Sequence, residues 1–149
     1  MGKTLAENRK ARFDYFIKDR FEAGLSLEGW EVKSARAGNV SLDESFVFYD
    51  KLSGELWLKN SYFAPYMDGD VKTQKNKRNR KLLLHRSEID KIAKAVVVKG
   101  SACVITKMYI NKAGFVKMEI AIATGKSTYD KKKALKERDI ARETNKVLQ

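Results

Sequence analysis

Few side chains in these 149 residues have the chemistry to make or break a bond. His85 is the single histidine and Cys103 the single cysteine. A thiol–imidazole dyad would need them side by side in space, and neither carries a local signature of such a pair. His85 follows three leucines and precedes Arg86, which suits the solvated or hydrogen-bonded end of a strand. Cys103 sits in Ala102-Cys103-Val104-Ile105 and reads as a buried apolar filler. Asp68 and Asp70 are two residues apart and could ligate the metal of a nuclease, with Glu119 as a candidate third ligand. Paired carboxylates at loop bends are common, and no third ligand stands near them in sequence. No phosphate-cradling glycine loop, dinucleotide fingerprint or nucleophile elbow is present. These features point away from an enzyme and call for no cofactor or metal.

Charge carries more information. The formal net charge is +12 and the isoelectric point is about 9.8, which favours a polyanionic partner: nucleic acid, ribosome or an acidic membrane face. Residues 72–86, KTQKNKRNRKLLLHR, hold seven cations (Lys72, Lys75, Lys77, Arg78, Arg80, Lys81, Arg86) and no acid. The segment closes on Leu82-Leu83-Leu84, a solidly apolar run that reads as part of a buried element. A basic loop is thereby tied to a core element, holding cations at a fixed edge where a phosphate backbone can dock. A solvated lysine-rich loop is the plain alternative.

The elements that must position these groups follow from periodicity. Residues 1–12 are polar, with Asn8-Arg9-Lys10 as a basic entry. Residues 13–27 alternate as Phe13, Tyr15, Ile17 and then Phe21, Ala23, Leu25, Leu27, which is strand spacing. Glu22 then lies on the opposite face, solvated or beside an arginine. Residues 28–37 read as a short helix closed by Gly38, with Lys33 and Arg36 at its negative end and Trp30 as a core anchor. Residues 46–49 and 55–58 read as a hairpin turned at Gly54. Tyr62, Phe63 and Tyr66 surround Pro65 at a bend. Ser87-Glu88-Ile89-Asp90 reads as a helix start, with Ile89, Ile92, Ala93 and Val96 on its buried stripe. Residues 104–110 and 115–123 are the clearest strands, joined by a turn at 111–114. Val116, Met118 and Ile120 share one face there, Lys117 and Glu119 the other.

About six short strands with short helices predict a mainly β chain, a small closed or partly open β-barrel with inserted helices over residues 1–124. Residues 125–149 differ. They hold eight cations, four acids and no continuous apolar stripe, and so predict a basic tail, disordered alone and helical when bound. A chain of this length buries about 68–70% of its unfolded surface without staples. With one cysteine there is no intrachain disulfide, which suits a reducing cytosol. Neither a secretory signal nor a myristoylation pattern opens the chain, and no apolar run approaches the ~20 residues of a membrane helix. The expectation is a cytoplasmic protein, a monomer with no membrane partner.

Several of these stretches, in order, resemble the SmpB family of SsrA-binding proteins. They are Asn8-Arg9-Lys10-Ala11-Arg12, Phe21-Glu22-Ala23-Gly24-Leu25, Gly29-Trp30-Glu31-Val32-Lys33-Ser34, Arg36-Ala37-Gly38, Arg80-Lys81-Leu82-Leu83-Leu84, and Lys126 through Lys132 with Lys136-Glu137-Arg138-Asp139. The resemblance runs from Asn8 to Arg142. It implies an OB-fold-like β-barrel with helices, and an RNA-binding adaptor of trans-translation that binds the tRNA-like domain of transfer-messenger RNA (tmRNA) near its elbow and enters stalled 70S ribosomes. The protein would replace the missing anticodon arm, and its tail would probe the empty mRNA channel. Elongation factor Tu with GTP is the implied carrier of the RNA. The family's RNA-binding positions fall on Asn8, Glu22, Leu83 and Lys117, and the basic segments add Arg9, Arg80 and Lys81. Gly125, Lys126, Tyr129, Asp130, Lys131 and Lys132 fall where the family's tail meets the ribosome. The chain departs from the family pattern at Lys75-Asn76-Lys77, where Asp-Pro is common, at Ser127 for a usual Lys, and at Lys132 for a usual Arg. A generic nucleic-acid-binding or ribosomal protein is the alternative reading.

Overall fold

The computed structural model describes residues 3–65 and 75–126. Its elements in chain order are β1 (Thr4–Glu7), α1 (Arg9–Asp14), β2 (Tyr15–Leu25), α2 (Gly29–Arg36), β3 (Val40–Ser41), β4 (Phe46–Asp50), β5 (Glu55–Lys59), β6 (Tyr62–Phe63), β7 (Arg80–Leu83), α3 (Arg86–Val96), β8 (Ser101–Ile110) and β9 (Val116–Gly125). Seven strands form one sheet in the order β1-β8-β9-β2-β7-β5-β4, and β3 pairs separately with β6. Every pairing is antiparallel.

The inner face follows the alternation of the sequence. Leu56, Leu58, Leu82, Met108, Met118 and Ile120 point inward and are fully buried. Amphipathic α3 adds Ile89 and Ile92 to this core. On β9, Val116, Met118 and Ile120 are buried and Lys117 and Glu119 half-buried, as their spacing predicts. Past the register shift between Ile105 and Lys107 the alternation ends, and Ala121, Ile122 and Ala123 are all buried. Such bulges bend a strand and sharpen its twist.

The barrel, expected closed or partly open, does not close. The edge strands β1 and β4 are not paired, so the seven strands form an open sheet. β1 is four residues long, carries its own register shift, and lies against β3 of the small sheet instead. β4 lies near β8 without pairing to it, and a cleft of about 500 Å³ is lined by Asn8, Lys10, Phe46, Val47 and residues 101–105. Exposed Phe46 and Phe48 mark the open edge, where the Lys59 ammonium lies 4.0 Å from the Phe48 ring centre.

Three local readings change. The polar entry contains β1 and the start of α1, and Phe13 lies in the last turn of that helix rather than opening a strand. The Asn8 carboxamide oxygen accepts from Ala11 N at 3.3 Å, a side-chain cap that favours the turn. Helix α3 starts two residues early: His85 is its N-cap, and the His85 amide donates to Glu88 Oε1 at 3.1 Å. The short pair β3–β6 left no periodic signal in two-residue strands. The helix at 28–37 is α2, with Gly38 just beyond its cap at φ +79°. Trp30 packs half-buried on the core while its Nε1 donates to Glu28 Oε2 at 2.6 Å. Among the described residues no helix is long and apolar enough to cross a membrane.

Candidate nucleic-acid interface

Three of the expected RNA-binding residues meet on the outer face of the sheet. Gly24 of β2 is paired with Lys117 of β9 on one side and with Leu83 of β7 on the other. A β-carbon at Gly24 would lie 3.2 Å from Leu83 Cβ and 3.6 Å from Lys117 Nζ. The missing side chain therefore lets the Lys117 ammonium and Leu83 approach each other across a bare backbone floor. Glu22, two residues earlier on the same face, completes a groove of about 360 Å³ with Leu84, His85 and Glu88. Tyr109 Oη donates to the Glu22 carboxylate. Burial first, and then this bond to Glu22, hold the Tyr109 phenol protonated well above its ordinary range. Leu83 is 48% exposed, an aliphatic side chain on a polar rim. The groove thus offers the Lys117 cation for a phosphate, the Glu22 carboxylate to accept from a base amine or a 2′-hydroxyl, and an apolar contact at Leu83.

Asn8 lies elsewhere. It is 6% exposed, lines the cleft bordered by β4 and β8, and its backbone N donates to Thr106 O at 2.8 Å. Arg9 beside it is exposed on α1.

Arg80 is inside the protein. Its side chain and that of Glu31 have no exposed surface, and Arg80 Nε donates to Glu31 Oε2. Arg80 Nη1 reaches Ser61 Oγ at 3.1 Å and Arg78 O at 3.0 Å, and Nη2 reaches Asn76 O at 3.1 Å and Lys75 O at 3.2 Å. The guanidinium carbon lies 3.9 Å from the Phe63 ring centre. Arg78 binds the same carboxylate, its Nε 3.1 Å from each oxygen. Two guanidiniums thus share one acid, and backbone carbonyls and the Ser61 hydroxyl take the remaining donors. Burial pulls the Arg80 guanidinium below its ordinary range, and Glu31 opposes that shift. The expectation that Arg80 offers its charge at the surface is corrected: the adjacent core draws it in, where it fastens residues 75–80 to α2. Lys81 keeps the surface position, 40% exposed and 3.7 Å from Glu55.

At the end of β9, Gly125 N donates to Gly100 O at 2.9 Å, and Lys126 N to Asp14 O at 2.8 Å. The Lys126 ammonium lies 5.0 Å from the Phe16 ring centre. The start of the tail is thus pinned beside α1. Tyr129, Asp130, Lys131 and Lys132 lie outside the described residues, as do Asp68, Asp70, Tyr66 and Lys72. Cys103 is buried, and burial pushes its thiol up to about 12. Among the described residues no three His, Cys, Asp or Glu side chains are grouped to hold a metal ion.

Sequence reasoning missed two participants. Gly24 reads in the sequence only as part of a strand, although glycine within a strand often marks a close approach. Phe115 was counted as the first residue of a strand, yet it stands 65% exposed at the tip of the β8–β9 hairpin. An aromatic directly after a turn glycine was the available signal.

An open antiparallel sheet in a chain of high positive charge, with a cation, an acceptor and an aliphatic contact gathered on its outer face, defines the class: a basic β-sheet protein suited to RNA. The comparisons narrow it. The family model described as SmpB protein matches residues 5–149, and the chain belongs to that family. It is 48% identical to the SsrA-binding protein of Coprothermobacter proteolyticus over 142 residues, covering 95% of this chain and 93% of the relative. It is 44% identical to that of Afipia carboxidovorans over 146 residues, covering 98% and 92%. A solved chain from a structure described as "tmRNA-SmpB: a journey to the center of the bacterial ribosome" matches with a TM-score of 0.67 and 42% identity, over 87% of this chain and 92% of that one.

Proposed function

We propose that this chain binds the tRNA-like domain of tmRNA near its elbow and carries it to ribosomes stalled on messages without a stop codon. Membership in the SmpB family makes it an SsrA-binding protein, an RNA-binding protein and not an enzyme, acting in tmRNA-mediated trans-translation on the ribosome. In the finer reading the protein takes the place of the anticodon arm. Its basic tail, beginning at Gly125 and Lys126, enters the empty mRNA channel. There Lys131 and Lys132 meet rRNA phosphates and Tyr129 stacks on a base. Elongation factor Tu with GTP accompanies the RNA, the protein acts as a monomer, and the setting is the cytoplasm.

The observation that carries the RNA-binding part is the convergence of Glu22, Leu83 and Lys117, from three strands, on one groove. Lys117 neutralises a phosphate, Glu22 accepts from a base or a 2′-hydroxyl, and Leu83 meets an unstacked face. The second hydroxyl of ribose is what such an acceptor can read and duplex DNA lacks.

The test is competition of labelled tRNA-like RNA against ordinary tRNA and duplex DNA at two salt concentrations. Shape-specific recognition requires that the tRNA-like RNA win and keep its advantage at the higher salt. If all three bind alike and fall together, counterion release alone is at work and the chain is a generic polyanion binder.

A further inference from the structure

The groove does not end at Lys117. A second cavity, of about 500 Å³, shares Gly24, Leu83 and Lys117 with the first and continues along the sheet to Leu25, Leu27, Val32 and Phe115. Its character is opposite. The first half is lined by Glu22, His85, Glu88 and Lys117, the second mostly by aliphatic and aromatic side chains. Phe115 is the most exposed aromatic of the described residues, at 65%. It is held at the rim by a rigid hairpin tip: its N donates to Asn111 Oδ1 at 2.9 Å, and Asn111 N donates to Phe115 O at 2.9 Å. Arg36 Nη2 donates to Gly114 O at 2.9 Å and ties that tip to α2 at the far end of the cavity.

A face that is polar and charged at one end and flat and apolar at the other matches one molecule in particular. A nucleotide has an anionic, hydrogen-bonding end and an apolar ring. We propose that the apolar half of this groove receives one unstacked nucleobase of the bound RNA, stacked on Phe115. Lys117, at the junction of the halves, takes the adjoining phosphate. Cations at Lys117 and Arg36 bracket the apolar floor, and this charge complementarity favours RNA over a peptide side chain. An exposed ring on a braced turn gives sequence-tolerant stacking, because every base has a π face. Extruded loop nucleotides are the parts of a folded RNA that present such a face. The inference rests on the RNA-binding reading above and adds to it a base pocket and the residue that fills it.

The experiment uses the full chain and tRNA-like RNA in two series. One compares wild type with Phe115→Ala and Phe115→Tyr. The other replaces single nucleotides of the RNA's elbow loops by abasic sites. Phe115→Ala is expected to weaken binding about 10-fold, the scale of losing one base–aromatic stack. Phe115→Tyr should bind as wild type does. One abasic position should weaken wild type to a similar degree and leave Phe115→Ala unaffected, since the lost partner is then already absent. Undiminished binding by Phe115→Ala overturns the base pocket and leaves this face to a protein partner. So does a set of abasic RNAs that weakens wild type and variant equally. Failure of wild type to distinguish tRNA-like RNA from ordinary tRNA is a different result, and it overturns the functional reading itself.

Discussion

Arg80 and Glu31 form an ion pair with no exposed side-chain surface, and Arg78 completes it from the half-buried side. Glu31 also accepts from Glu28 N at 2.8 Å through Oε1, so one carboxylate caps α2 and clamps the start of β7. The basic segment is thus divided by function. Arg78 and Arg80 hold the loop in place, and Lys81 and its exposed neighbours are left to meet solvent or RNA.

Glu31→Gln is expected to destabilise the fold by about 3–5 kcal/mol, because two guanidiniums lose the carboxylate they both bind. For a chain of this size that lowers the melting temperature by about 10 °C. Thermal unfolding followed by circular dichroism checks it. A shift of a degree or two would mean that the backbone carbonyls and the Ser61 hydroxyl alone satisfy Arg80. Any loss of RNA binding by an Arg80 variant should follow its loss of stability.

Gly24→Val tests the groove floor. Valine suits a strand backbone, but its Cβ would lie 3.2 Å from Leu83 Cβ, so Leu83 must give way, and its side chain would occupy the space between Leu83 and the Lys117 ammonium. RNA affinity is expected to fall about 10-fold, or about 1.4 kcal/mol, with the circular dichroism spectrum unchanged. Filter binding across a salt series separates this from Lys117→Ala, which should lower the salt slope by about 1. Wild-type affinity in Gly24→Val would show that Leu83 and Lys117 need not converge.

Alkaline pH should weaken the fold through Cys103. Its folded-state value is raised from an ordinary 9.0 to about 12. The unfolded thiol therefore gives up its proton first. This stabilisation is complete below pH 9 and is lost as pH rises toward 12. By pH 10 about 1.4 kcal/mol has gone. Tyr109, also raised, acts in the same direction at still higher pH. Urea unfolding at pH 8 and pH 10 should show a smaller difference for Cys103→Ala than for wild type. The buried neutral thiol should also resist a disulfide reagent until the chain is unfolded. Rapid labelling of the native protein would contradict its burial.

Removal of residues 130–149 is expected to leave tmRNA affinity within about threefold, less than one good contact, and to abolish peptide tagging on stalled ribosomes. The two activities are measured separately, by RNA binding and by tagging in a reconstituted translation reaction. Equal losses in both would deny the tail a role of its own.

The sequence alone determined the class of partner through its charge, the two long strands 104–110 and 115–123 through their alternation, and α2 through its glycine stop. The ordered motifs also determined the family. These signals are local or compositional, and short-range physics is enough to read them. Closure of the sheet was not among them. Whether β1 meets β4 depends on where the short β3–β6 pair places the chain, and two-residue strands leave no period. Nor could the sequence sort its cations. Arg80 and Lys81 are adjacent and alike in charge, but strand alternation sends one side chain to the core and the other to the surface. A buried acid from α2, 49 residues away, makes the first position tenable. Only the tertiary structure brings Glu22, Leu83 and Lys117 together, because residues distant in sequence become neighbours only when antiparallel register places them across Gly24.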